Sequence, residues 1–215
     1  MNIDIKICGL DRAETVDAAV EAGASMTGFV FYSPSPRNLA PSQATILTAR
    51  IPEGVKRVGL FVDPTNEKIS RVLDQNTLDV LQLHGEETPE RVFEIKDLTS
   101  LPVIKVLKIS GGQDLDHVSK YVDVADLFLF DAHVPRDMKG ALPGGNARVF
   151  DWNILTGTDI PRPWILAGGL NSDNVEEALR ISGANAVDVS SGVEERPGVK
   201  SVEKIRCFIT AVLET

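Results

Sequence analysis

The sequence predicts one α/β domain of the (β/α)8 TIM-barrel class, spanning residues 1–215, and three observations predict it. Eight short aliphatic or β-branched runs follow one another along the chain, each of a length that suits a strand buried on both faces. A polar–apolar stretch with helical spacing fills every gap between them. The 215 residues are enough for one compact barrel, a fold that typically takes about 250 residues and at least about 200.

The expected strands are IDIKI at 3–7, TGFVF at 27–31, VKRVGLF at 55–61 and DVLQL at 79–83, then VIKVL at 103–107, DLFLFD at 126–131, WILAG at 164–168 and AVDVS at 186–190. Asp11 with Glu14 three residues later has the form of a capping box for the first helix, which should stop at Gly23. Pro41 can open the second helix at its first turn, Thr65 precedes the third, and Thr88 with Pro89 opens the fourth. Asp114 precedes the fifth; the sixth is short, around 150–156. Asn171 or Ser172 should cap the seventh, which stops at Gly183, and the last spans roughly 200–213 with Ser201 as its cap. Strand starts recur at intervals of about 25 residues, the length of one βα unit. The rival architecture is an open doubly wound sheet, which more often has five or six strands.

Composition narrows the function classes. The formal net charge is -9 and no basic run stands out, which argues against a nucleic-acid partner. The two cysteines, Cys8 and Cys207, lie at opposite ends of the chain and form no CxxC pair, so neither a disulfide framework nor a zinc or redox motif is expected, and a reducing cytoplasm suits the chain. No apolar run reaches the roughly 18 residues of a membrane helix, and the first residues do not have the form of a signal peptide. No membrane partner, metal or cofactor is expected.

In a barrel the chemistry sits where strands end. Cys8 and Gly9 follow the first run, Arg37 lies in SPSPR after the second, Asp63 follows the third, and His84 with Gly85 follows the fourth. Asp131 closes the sixth run, Gly168 and Gly169 follow the seventh, and Ser190, Ser191 and Gly192 follow the eighth. The loops at 167–174 and 190–194 are small and glycine-rich, so backbone N–H groups could approach an anion closely; the loops after strands seven and eight are the usual phosphate site of such barrels. Cys8 has two readings, a small buried hydrophobe or a thiol at the barrel mouth acting as base or nucleophile. Asp131 ends an otherwise apolar strand and precedes the longest loop, which favours a functional acid over a cap. Arg37, in a proline-stiffened loop, offers a planar fork for a carboxylate or phosphate. His84 reads as a hydrogen-bonded histidine at the mouth or a proton carrier. Gly144, Gly145 and Asn146 lie in the long loop and could reach the rim. Cys207 is expected in the core and His117 in a structural role, while His133 is unassigned.

Seven segments in order carry a resemblance: KICGL at 6–10, GFVFYSPSPRNL at 28–39, LQLHGEE at 81–87, DA at 131–132, LPGGNARVFDW at 142–152, LAGGLNSDNV at 166–175 and VDVSSGVEERPGVK at 187–200. They span nearly the whole chain, which resembles the phosphoribosylanthranilate isomerases of tryptophan biosynthesis. The resemblance implies an Amadori rearrangement of N-(5-phosphoribosyl)anthranilate to 1-(2-carboxyphenylamino)-1-deoxyribulose 5-phosphate, with no cofactor or metal. It implies Asp131 as the general acid that protonates the ring oxygen and Cys8 as the general base that removes the C2 proton. It also implies Arg37 at the anthranilate carboxylate, Gly168, Gly169, Ser190, Ser191 and Gly192 at the phosphate, and a monomer or a homodimer. One departure lies at Ala147, where the family's loop commonly has glycine; another is Ser201, where an Asp often stands. The alternatives are another sugar-phosphate barrel isomerase and a non-catalytic sugar-phosphate-binding barrel. A histidine-pathway aminoaldose isomerase would be expected to carry Asp where Cys8 stands. An epimerase would need metal-binding His and Asp, of which only His84 is placed. A non-catalytic binder would lose the acid or the base.

Overall fold

The computed structural model describes residues 3–133, 143–146 and 148–215, so the departure at Ala147 lies outside the described residues. Eight parallel strands close into a barrel in sequence order: β1 (Asp4–Cys8), β2 (Met26–Val30), β3 (Lys56–Phe61), β4 (Val80–Leu83), β5 (Val103–Ile109), β6 (Leu127–Ala132), β7 (Trp164–Leu166) and β8 (Ala186–Val189). All eight predicted strands are present, with ends displaced by one or two residues. The outer layer holds α1 (Ala13–Ala22), α2 (Pro41–Thr48), α3 (Asn66–Leu73), α4 (Pro89–Thr99), α5 (Val118–Tyr121), α6 (Val175–Ser182) and α7 (Val202–Leu213). The short helix expected around 150–156 is a 3-10 turn at Trp152–Leu155.

Several caps form as the sequence predicts. Thr65, Thr88 and Ser201 accept hydrogen bonds from the backbone N–H of Lys68, Arg91 and Lys204, and Gly23 and Gly183 end their helices in the left-handed conformation. Four expectations are corrected. The first helix begins one residue late, with Arg12 at the cap position and no side-chain cap; Glu14 pairs with the Arg12 guanidinium instead of closing a box with Asp11. Asp114 does not precede a long helix. It lies inside a 3-10 turn, Gly112–His117, where its carboxylate accepts from the N–H groups of Ser110 and Gly111. Asn174 holds the cap position of α6 without a side-chain cap. Asn171 instead organises the preceding turn, its carboxamide oxygen accepting from the N–H groups of Asp173 and Asn174. Cys207 is exposed. Ile205, Phe208, Ile209 and Val212 form the buried stripe of α7 at helical spacing, and position 207 falls on the opposite side.

A feature the sequence reading missed follows β8: an antiparallel hairpin of β9 (Glu194–Arg196) and β10 (Val199–Lys200). The Pro197–Gly198 pair was a turn signal for it.

Strand parity sorts the interior. Odd positions of β1, such as Ile5 and Ile7, join the core between sheet and helices. Even positions of β1 face the lumen, whose lower part is filled from the other strands by Met26, Val58, Val80, Ile104, Val106, Leu129, Ile165, Ala167 and Ala186. Full burial of one such aliphatic side chain contributes about 1.5–3 kcal/mol, so the plug is a strong contributor to stability as well as the floor of the site. Above it come Lys6, Gln82 and Asp188, all buried, and then Cys8, Val30 and Leu60 at the mouth. Among the described residues no helix is long and apolar enough to cross a membrane.

Candidate active site

The mouth is an open pocket at the C-terminal ends of the strands. Cys8, Arg37, His84, Asp131, Gly144, Gly145, Asn146, Gly168, Gly169, Ser190 and Ser191 all line it. Gly192 stands just behind, packed against the carbonyl of Leu170, where a side chain would clash. Asp63 and His133 lie outside the lining; among the described residues, no three His, Cys, Asp or Glu side chains converge as a metal site requires.

Asp131 ends β6 and is buried. Its Oδ1 accepts from the N–H of Ala132 at 2.8 Å, and its Oδ2 lies 3.3 Å from His84 Nε2. The Gln82 carboxamide sits 3.2 Å from His84 Nδ1. With Nδ1 engaged by Gln82, the other ring nitrogen, Nε2, is the one that faces Asp131. The loop at 143–146 closes over these groups. A side chain on Gly144 would come within 2.6 Å of His84 Nε2 and 3.1 Å of Asp131 Oδ2. Gly145, at φ +76, leaves the same kind of space over the Arg37 guanidinium. The paired glycines therefore answer to close approach over the acid and the arginine.

Arg37 is buried, and its fork is engaged within the protein. Nε and Nη2 donate to the two oxygens of Glu194 at 2.7 and 2.8 Å. Lys200 donates to the same carboxylate and to Ser190 O at 3.0 Å. Burial opposes the charged Glu194, but the hydrogen bonds from Arg37 and the charge of Lys200 prevail and hold its carboxyl below the ordinary 4.5. The hairpin thus ties the loop carrying Arg37 to the loop after β8. What Arg37 leaves toward the pocket is its Nη1 edge, beside Gly145.

Cys8 ends β1. Lys6, two residues earlier on the same face, is fully buried, and its Nζ donates to Asp188 Oδ1 at 2.8 Å across the β1–β8 pairing. Burial pushes the Cys8 thiol above its ordinary 9.0; the Lys6 ammonium works against this, and Asp188 adds to it. For Lys6, burial disfavours the ammonium, but Asp188 and Cys8 outweigh it and raise its pKa above 10.5.

Lys6, Gln82, Asp188, Glu194 and Lys200 were not singled out from the sequence. For the first three the signal was present: a polar residue at an inward, even position of DIKIC, VLQL and AVDV. Glu194 and Lys200 carry no such signal until the hairpin brings them together.

Comparison with known proteins adds the chemistry. The profile of the N-(5'phosphoribosyl)anthranilate (PRA) isomerase family matches residues 5–211. The chain is 54% identical over 212 residues to the N-(5'-phosphoribosyl)anthranilate isomerase of Paramagnetospirillum magneticum, covering 98% of this chain and 97% of that one. It superposes on the crystal structure of phosphoribosyl anthranilate isomerase from Thermotoga maritima with a TM-score of 0.87 at 37% identity, covering 99% and 100% of the two chains. It also superposes on a phosphoribosyl anthranilate isomerase in complex with reduced 1-(o-carboxyphenylamino)-1-deoxyribulose 5-phosphate, with a TM-score of 0.85 at 36% identity and coverage of 99% and 100%.

Proposed function

The chain belongs to the N-(5'-phosphoribosyl)anthranilate isomerase family and carries its activity in tryptophan biosynthesis, and we propose that Asp131 is the acid and Cys8 the base of the rearrangement. The observation that carries this assignment is that both groups line one pocket, on strands β6 and β1, which are separated around the ring by β7 and β8.

The substrate is an aminoaldose that must become an aminoketose. Asp131, protonated at the start, gives its proton to the ring oxygen as the C1–O bond breaks and the nitrogen lone pair forms the C1=N bond. The Cys8 thiolate then takes the proton from C2, and the electrons of that bond pass through C1 to nitrogen. The enolamine product becomes the ketone by proton transfer. Charge is created at an oxygen and at a carbon in turn, so an acid and a base at separate points of one pocket suit it.

The rest of the pocket matches the ends of that molecule. Gly168, Gly169, Ser190 and Ser191, backed by Gly192, suit the phosphate, with backbone close approach at Gly168 and Gly169, whose φ values are +87 and +63. Tyr32, Val30, Leu60 and Val62 form an apolar wall suited to the anthranilate ring, and Arg37 stands beside it. Because Glu194 occupies the fork of Arg37, the ring carboxylate meets it end-on through Nη1.

The test is turnover of phosphoribosylanthranilate generated in place, followed by the loss of anthranilate fluorescence. Asp131→Asn and Cys8→Ala are each expected to lower kcat by about 10²–10⁴-fold with KM near the parent value. Near-parent turnover in either variant removes that residue from its role.

A further inference from the structure

Cys8 faces a difficulty that the fold itself creates. A buried thiol resists ionisation, yet a base must be a thiolate. The lumen holds an answer directly beneath it. Lys6 and Cys8 share the even face of β1, and Lys6 is the largest fully buried polar side chain beneath the pocket. A side chain on Gly28 of the neighbouring β2 would lie 2.9 Å from Cys8 Sγ and 3.2 Å from Lys6 Nζ. One missing methyl group therefore borders both atoms, and the glycine keeps open the slot in which they meet. The Lys6 ammonium favours the ionised Cys8, and the ionised Cys8 favours the ammonium. Lys6 cannot swing away, because Asp188, its partner in the β1–β8 register, holds Nζ from the other side.

We propose that Lys6 is the positioning residue for the base, its ammonium stabilising the Cys8 thiolate while Asp188 fixes that ammonium in place. The inference rests on the reading of Cys8 as the base. Lys6 keeps its proton throughout: the thiolate takes the C2 proton and becomes the thiol, and the ammonium passes from an ionic to a neutral hydrogen-bond partner. The charges around Cys8 are accounted for on every side. Lys6 lies below on β1, Asp188 on β8, and Lys200 on the hairpin. Arg148, Arg37 held from behind by Glu194, and His84 with Asp131 line the rest of the pocket, while β2 and β3 offer only Gly28, Val30 and Leu60.

The two members of one ion pair then act on Cys8 in opposite directions, which a purely structural pair would not do. Cys8 ionisation is read from thiolate absorbance in the ultraviolet, each protein measured against its own Cys8→Ala counterpart so that Cys207 cancels. Lys6→Met is expected to move the Cys8 midpoint up and the alkaline-rising limb of kcat/KM with it. Asp188→Asn, whose carboxamide oxygen still accepts from Nζ, is expected to move the midpoint down. If Lys6→Met fails to fold, Asp188→Asn and the neutral pair Lys6→Met/Asp188→Asn decide, the double variant being expected above the parent because the lysine outweighs the aspartate. Shifts of the same sign, or none, overturn the proposal. Near-parent turnover of Cys8→Ala alone would instead remove the base reading, and the absorbance shifts would still report on the pair.

Discussion

Two lysines on barrel strands, Lys6 and Lys105, are buried to the same degree and each binds a carboxylate, Asp188 at 2.8 Å and Glu87 at 2.6 Å. They differ in the side of the sheet they face. Lys6 points into the lumen, and its carboxylate lines the pocket. Lys105 alternates with the lumen-facing Ile104 and Val106, so it points toward the helices. There it donates to Gly85 O at 2.8 Å and stands over the ring of Tyr121, whose hydroxyl donates to Glu87 O. Glu87 accepts from the N–H of Asp63 at 2.9 Å and from that of Gly85 at 3.1 Å. A lysine–carboxylate pair therefore lies at the pocket on one face and builds a loop on the other, and the loop it builds is the one that carries His84.

Removing the scaffold lysine is the largest way to break this comparison. Lys105→Met leaves Glu87 buried without its cation, and loss of one partner of a buried pair costs about 3–5 kcal/mol. Urea unfolding should show a loss of that size while the Cys8 midpoint stays at the parent value. A displaced midpoint would mean that the two faces of the sheet are electrostatically joined, and the separation drawn here would fail.

Much of this was legible in the sequence, and the limits have physical causes. Strands buried on both faces announce themselves as aliphatic runs, so all eight were found, and Asp131 was conspicuous as the one acid ending such a run. Cys8 was visible but ambiguous, because a small apolar side chain and a mouth-facing thiol occupy the same pattern; its setting depends on Lys6, whose carboxylate partner Asp188 meets it only when β1 pairs with β8. Arg37 was found, yet its engagement by Glu194 could not be read from a separation of 157 residues. Cys207 was misplaced by a local error: a helix of mixed composition was assigned its apolar face by residue type, whereas the stripe at 205, 208, 209 and 212 sets the phase. The Asp11 box did not form: the helix starts one residue later, at Ala13, and Glu14 pairs with the Arg12 guanidinium.

A smaller change tests the acid side alone. In Gly144→Ala the new methyl would stand 2.5 Å from His84 Cε1, and a buried ring cannot yield as a flexible chain end does. The loop must shift. A displacement near 1 Å at a catalytic group costs up to about 100-fold in rate, so kcat should fall by about 10- to 100-fold. Stability should hold to within about 0.5 kcal/mol, since the strain falls on a surface loop. The Cys8 midpoint should not move, because Lys6 and Asp188 reach the pocket from the other strands. A fall in stability with kcat preserved would assign Gly144 to the scaffold instead.

The third buried pair, Lys200 with Glu194, combines both roles, since its carboxylate also holds Arg37. Its contribution should be visible through pH. The folded-state pKa of Glu194 lies below the ordinary 4.5, so folding favours the ionised form. That contribution is fully present above 4.5 and is lost as the pH falls through that value toward the folded-state pKa. In Glu194→Gln the titrating group is gone, so the stability gap between parent and variant should be widest near pH 6 and should narrow on acidification below pH 4.5. Urea unfolding of both proteins across that range measures it. A gap that stays constant with pH would show that Glu194 holds the hairpin and Arg37 by shape and hydrogen bonding rather than by charge, unlike the pair beneath Cys8.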